Sequence, residues 1–110
     1  MRFIAAIPNY NHGESLVKLL DQLLKEDLDA IYVLDDGSID DSLKLLEPYE
    51  KKTNIVRGPF NLGPGGNRNR IIPYLEPEDV VMFIDADMEL VDRKVRKPIL
   101  NLFEAQPNVA

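Results

Sequence analysis

Cysteine is absent from the 110 residues, so the chain has neither a disulfide framework nor a thiolate metal site. Its sequence is silent on redox compartment, and the cytoplasm is the expectation by default. Histidine is nearly absent too: His12 has no second histidine or cysteine with which to share a metal, and reads as a surface loop residue. Positive charge is scarce, with 13 Lys and Arg against 19 Asp and Glu for a formal net charge of −6. A field of that sign repels a phosphate backbone, which excludes nucleic acid as an expected partner. Long apolar runs are missing as well. The first, Phe3 to Ile7, is stopped by Pro8 and is too short for a signal-peptide core or a membrane span, so no membrane segment is expected in this chain.

What is present is ordinary globular composition, 45% hydrophobic and 29% charged, enough for one domain over residues 1–110. Short runs rich in Ile and Val alternate with stretches of helical period, the pattern of an α/β fold. A strand is predicted over 3–7, followed by a helix whose inner stripe is Leu16, Leu19, Leu20, Leu23 and Leu24. A second strand over 31–34 ends in Asp35-Asp36-Gly37-Ser38. Ser38-x-x-Asp41 resembles a capping box, so a helix is predicted from there with Ile39, Leu43 and Leu46 inside. After a weak strand over 54–57, the segment 58–66 holds four glycines and two prolines and reads as a loop. A helix over 68–75 follows, with Ile71, Ile72 and Leu75 inside and Pro73 bending it. Val80 to Ile84 is the strongest strand signal and is expected to be the most buried. A last helix is predicted over 92–105, interrupted by Pro98, then a turn at Pro107-Asn108 and the first residues of another strand.

Three constellations carry chemistry. Asp85-x-Asp87 follows the strongest strand, where ligands bind in open α/β sheets. If the chain stays extended, both carboxylates point to one side and suit a hard divalent cation; the alternative is a solvated acidic turn. Asp35-Asp36 ends another strand, and an ionised aspartate there can accept from a ring N–H or a ribose hydroxyl, or DDGS can simply cap the next helix. The stretch from Asn61 to Arg70 sets glycines before a helix start and adds Arg68 and Arg70, so that backbone N–H groups and a guanidinium can meet a diphosphate. It lacks the Gly-Lys-Ser/Thr ending of a P-loop, and the same composition fits a mobile surface loop. Tyr10, in the turn after Pro8, can lie against a base or merely pack.

Together these segments resemble the family 2 glycosyltransferases of the GT-A fold. Ala6-Ile7-Pro8-Asn9-Tyr10-Asn11 is similar to the family's opening strand and loop, and Val33 to Ser38 to its acidic turn. Asn61-Leu62-Gly63 with Arg68-Asn69 resembles its N-x-G…R-N segment, and Phe83 to Asp87 its D-x-D motif. Asn67, where the family usually has alanine, and Met88, where another acid is common, depart from the pattern. The resemblance implies a Rossmann-like, mainly parallel sheet with flanking helices, the N-terminal half of a GT-A fold. It implies a nucleotide-diphospho-sugar donor, an inverting transfer to an acceptor hydroxyl, and Mn²⁺ or Mg²⁺. It implies that Pro8 and Tyr10 line the base pocket, Asp36 with its neighbour Asp35 contacts base or ribose, Arg68 lies near the nucleotide, and Asp85 and Asp87 hold nucleotide and metal. No residue matches the family's catalytic base. The chain is therefore expected to be a donor-binding domain cut short at its C-terminal end, prone to self-association and without turnover of its own. The alternative is a nonenzymatic receiver-like or nucleotide-binding interaction module, but a receiver has its acidic pair after the first strand, which here ends in Pro-Asn-Tyr-Asn.

Overall fold

The computed structural model describes residues 1–87. The helix predicted over 92–105, the turn at Pro107-Asn108 and the strand start after it lie outside the described residues. Within them, four parallel strands alternate with helices: β1 (Phe3–Asn9), α1 (Gly13–Leu23), β2 (Ala30–Asp35), α2 (Ser42–Leu46), β3 (Asn54–Arg57), α3 (Gly63–Asn69) and β4 (Val80–Phe83). Short 3-10 turns at Glu47–Tyr49 and Ile72–Tyr74 follow α2 and α3. The sheet order is β3-β2-β1-β4, so the chain builds outward from β1 in one direction and then crosses to its other side with β4. The Rossmann-like expectation holds.

The β1 run passes through Pro8 rather than stopping before it. Alternate residues of β1 face opposite neighbours: the carbonyls of Arg2 and Ala6 accept from β4 (Val80 and Ile84), those of Phe3 and Asn9 from the β2 side (Asp29 and Asp36). Pro8 shares the direction of Ala6, and the β4 register ends at Ala6–Phe83. The missing N–H therefore falls where no ladder bond is required, while Pro8 still stands in register with Leu34 on the other side.

The same alternation splits the core. Ala5, Ile7, Ile31 and Val33 face one way and pack on Leu16, Leu19, Leu20 and Leu23 of α1 and Leu46 of α2. Ile4, Ala6, Tyr32 and Leu34 face the other way, with Ile71 against them. The leucine stripe of α1 is as predicted except at its end, where Leu24 is the C-cap and is 36% exposed.

Three expectations are corrected. The second helix begins at Ser42, not Ser38, because the Ser38 hydroxyl is engaged with Asp35 and Asn11; Ile39, expected inside, is 86% exposed. The glycine-rich segment is itself helical from Gly63 onward, with Pro64 in the first turn, so the helix predicted over 68–75 starts earlier and gives way to a 3-10 turn around Pro73, leaving Ile72 exposed. The most buried strand is β1, at the centre; β4 lies at the edge of the described sheet with Phe83 exposed.

Candidate functional site

The carboxyl ends of β1, β2 and β4 meet on one rim. Between β1 and β4 the chain reverses the direction in which strands are added, the place where open α/β sheets leave a crevice for ligands. A cleft of about 240 Å³ lies there, lined by Pro8, Asn9 and Tyr10 after β1, Asp36 after β2, Asp85 after β4, and Asn61, Gly63, Pro64, Asn67 and Arg68 from α3 and the segment before it. Five of the residues singled out from sequence, Pro8, Tyr10, Asp36, Arg68 and Asp85, are thus brought together.

Asp35 is turned away from the cleft. Its buried carboxylate accepts from Asn9 Nδ2 at 3.0 Å, Ser38 Oγ at 2.7 Å and the Ser38 N–H at 3.1 Å. The hydroxyl of Ser38 in turn accepts from the Asn11 N–H at 3.0 Å, and Asn11, held at a positive φ of 58°, accepts from the N–H of Ile39 and Asp40. These bonds staple the loop after β1 to the loop after β2. Gly37 permits the second turn at φ 75°, where a Cβ would also collide with the Phe60 backbone.

Asp36 faces the cleft wall and is already well satisfied. It accepts from the N–H of Leu62 at 2.8 Å and of Gly63 at 3.0 Å, and pairs with Arg70 Nη1 at 2.6 Å; both side chains of the pair are largely buried. The Leu62 and Gly63 amides, which the sequence offers to a diphosphate, are therefore directed to Asp36. Arg68 behaves differently. Its guanidinium lies 5.5 Å from the Phe83 ring centroid, and among the described residues it has no carboxylate partner.

Asp85 and Asp87 are both exposed, just past the end of β4, and Asp85 lines the cleft whereas Asp87 is not among its lining residues. Among the described residues no three His, Asp or Glu side chains gather into a metal cage. Two exposed carboxylates beside a cleft nevertheless fit the way Mg²⁺ is commonly held, by one or two carboxylates with ligand phosphates and water completing the shell.

Sequence reading offered Arg70 to a diphosphate and noted Asn67 only as a departure from the family pattern; it missed that these two and Asn9 make internal ties instead. Asn67 is buried, donates to the Leu34 carbonyl at 2.8 Å and accepts from Arg70 at 2.8 Å. The i, i+3 spacing of Asn67 and Arg70 puts them on one helical face and was the available signal. Asn9 carried no signal beyond its place at a strand end.

Comparison with known proteins identifies the family and the fold. The sequence model described as Glycosyl transferase family 2 matches residues 4–110. The poly(ribitol-phosphate) β-N-acetylglucosaminyltransferase TarS of Staphylococcus aureus is 33% identical over 94 residues, covering 79% of this chain and 16% of TarS. The poly(ribitol-phosphate) β-glucosyltransferase of Bacillus spizizenii is 38% identical over 96 residues, covering 79% of this chain and 15% of that protein. The chain thus spans about a sixth of the length of these curated relatives. The crystal structure of S. aureus TarS 1–349 in complex with UDP-GlcNAc superposes with a TM-score of 0.78 at 29% identity, covering 96% of this chain and 32% of that one.

Proposed function

The chain belongs to glycosyl transferase family 2, and from that membership we propose that it forms the donor-binding region of an inverting glycosyltransferase, holding a nucleotide-diphospho-sugar whose sugar passes to an acceptor hydroxyl. The observation that carries this reading is Arg68, without a carboxylate partner among the described residues, and the exposed Asp85 on the rim of one switch-point cleft, with Asp87 two residues beyond.

Each residue has a task set by its chemistry. Pro8 and the half-exposed Tyr10 offer an apolar wall to a base. Asp36 retains acceptor capacity on Oδ2 beyond the Gly63 bond and can take a ring N–H or ribose hydroxyl. Arg68 supplies a cation for diphosphate oxygens, kept in place by the Phe83 face. Asp85 and Asp87 would hold Mn²⁺ or Mg²⁺. When bound, such a cation takes up charge developing on the departing diphosphate. No residue of this chain is assigned as the general base.

Because TarS binds UDP-GlcNAc in its crystal structure, that donor is the first to try. Calorimetry should show UDP-GlcNAc binding that strengthens with Mn²⁺ and weakens with chelator, and Asp87→Ala should lose the difference. Equal affinity with and without the cation would refute the metal role. No binding of any nucleotide sugar would refute the donor reading itself.

A further inference from the structure

Arg70 is the point at which the cleft's internal ties converge. Its guanidinium donates to Asp36 Oδ1 at 2.6 Å, Asn67 Oδ1 at 2.8 Å and the Phe60 carbonyl at 2.9 Å, with a longer contact to the Asp35 carbonyl at 3.4 Å. Asp36 passes the connection to the N–H groups of Leu62 and Gly63, and Asn67 passes it to the Leu34 carbonyl. One side chain therefore joins the end of β2, the 60–63 segment and α3. Nη1 of the planar fork serves Asp36, Asn67 and the Asp35 carbonyl, and Nη2 serves the Phe60 carbonyl; a lysine ammonium, with all its donors on one nitrogen, cannot occupy both positions at once. The sequence also clears space for the fork. A Cβ at Gly58 would overlap the guanidinium carbon and both its terminal nitrogens, although Gly58 has no positive φ that would otherwise demand glycine.

We propose that Arg70 is a positioning residue of the donor cleft: it neutralises Asp36 and holds the 60–63 backbone and α3 in place before an anionic ligand arrives. Asp36 lines the cleft. Without its counterion it would present a negative charge to a diphosphate, and the Leu62 N–H would lose a fixed anchor, whereas that of Gly63 also donates to Asn61 Oδ1 at 2.8 Å. The ligand half of this inference rests on the donor-binding reading; the positioning half rests on the contacts alone.

The test compares Arg70→Gln, Arg70→Lys and Gly58→Ala with the native chain, using amide hydrogen exchange and the affinities of UDP and uridine. Gly58→Ala keeps every charge and displaces only the far end of Arg70, which guards against a variant that fails to fold. In Arg70→Gln and Gly58→Ala, exchange at Leu62 should quicken by about tenfold or more while β1 amides stay protected. UDP should weaken by about tenfold in Arg70→Gln, and uridine, which carries no phosphate, by less. Arg70→Lys should restore the UDP-to-uridine ratio but not the slow exchange, since it returns the charge without the fork. Unchanged exchange at Leu62, or unchanged UDP affinity in Arg70→Gln where the native chain binds UDP, would overturn the proposal. A native chain that binds no UDP, with exchange responding as expected, sinks the donor reading and leaves the positioning role standing.

Discussion

Asp35 and Asp36 are neighbours in sequence and opposite in role. Successive side chains at a strand end point to opposite sides, so a pair read as two acids facing one crevice separates into one that staples loops and one that meets the cleft. That division was not legible, because beyond Ser38, three residues on, it depends on partners that the fold brings from 26 or more positions away. Tyr10 and Asp85 were legible as rim residues because each closely follows a strand, whereas Pro8 lies within the end of β1 and Arg68 in the last turn of α3, not at the helix start read from the sequence. Two outcomes separate the two acids. Ser38→Ala removes a donor to buried Asp35 and the acceptor for the Asn11 N–H, and should cost about 1–3 kcal/mol in urea unfolding with nucleotide affinity per folded molecule unchanged. Asp36→Ala leaves the Arg70 guanidinium buried without its anion, and should cost about 3 kcal/mol as well as weakening nucleotide binding. A fully stable Asp36→Ala chain would show that the ion pair contributes little.

At the scale of elements, periodicity was reliable where a helix is long and packs on the sheet. The α1 stripe was read from five leucines, and the four of them within the helix are buried at helical spacing on the same sheet face. The start of α2 was misplaced because a serine with an acid three residues later fits a capping box equally well when the serine is recruited elsewhere. Local pattern does not reveal that Ser38 bonds to Asp35 and Asn11. The α3 start was missed because glycines and prolines read as loop, yet Pro64 suits a first helical turn and the amides before it are held by Asp36. Substitutions can check these assignments. Leu20→Ala should cost about 2–5 kcal/mol by cavity formation, whereas Leu24→Ala should cost under about 1 kcal/mol. Ile39→Ser should change stability by no more than about 0.5 kcal/mol, since the residue is exposed; a core-sized loss would restore it to a helix interior.

The alternation of strand and helix made a parallel sheet legible across the whole molecule, but strand order was not, and with it went the expectation that β4 is the most buried strand. Order is fixed by long-range pairing, and one device at the far end of the sheet shows how. Arg2 precedes β1 and Asp79 precedes β4; the guanidinium donates to both Asp79 oxygens, at 3.1 and 2.6 Å, and so ties together the starts of two paired strands 77 positions apart. The hydrogen bond from Arg2 foremost, then that from the Glu76 N–H, holds the Asp79 carboxyl below the ordinary carboxylate range. A carboxyl whose pKa is lowered by folding favours the folded state at pH values above its unfolded value. That contribution disappears as pH falls through the lower folded value. Asp79→Asn removes the anion at every pH. The gap in urea midpoint between native chain and variant should therefore be widest near neutrality, narrow from about pH 4 downward, and close in stronger acid. Added salt should narrow it at neutral pH, because Arg2 is partly exposed. A gap that stays constant from neutrality into acid would mean that Asp79 contributes through shape or neutral hydrogen bonding, and that pairing of β4 with β1 owes nothing to this charge.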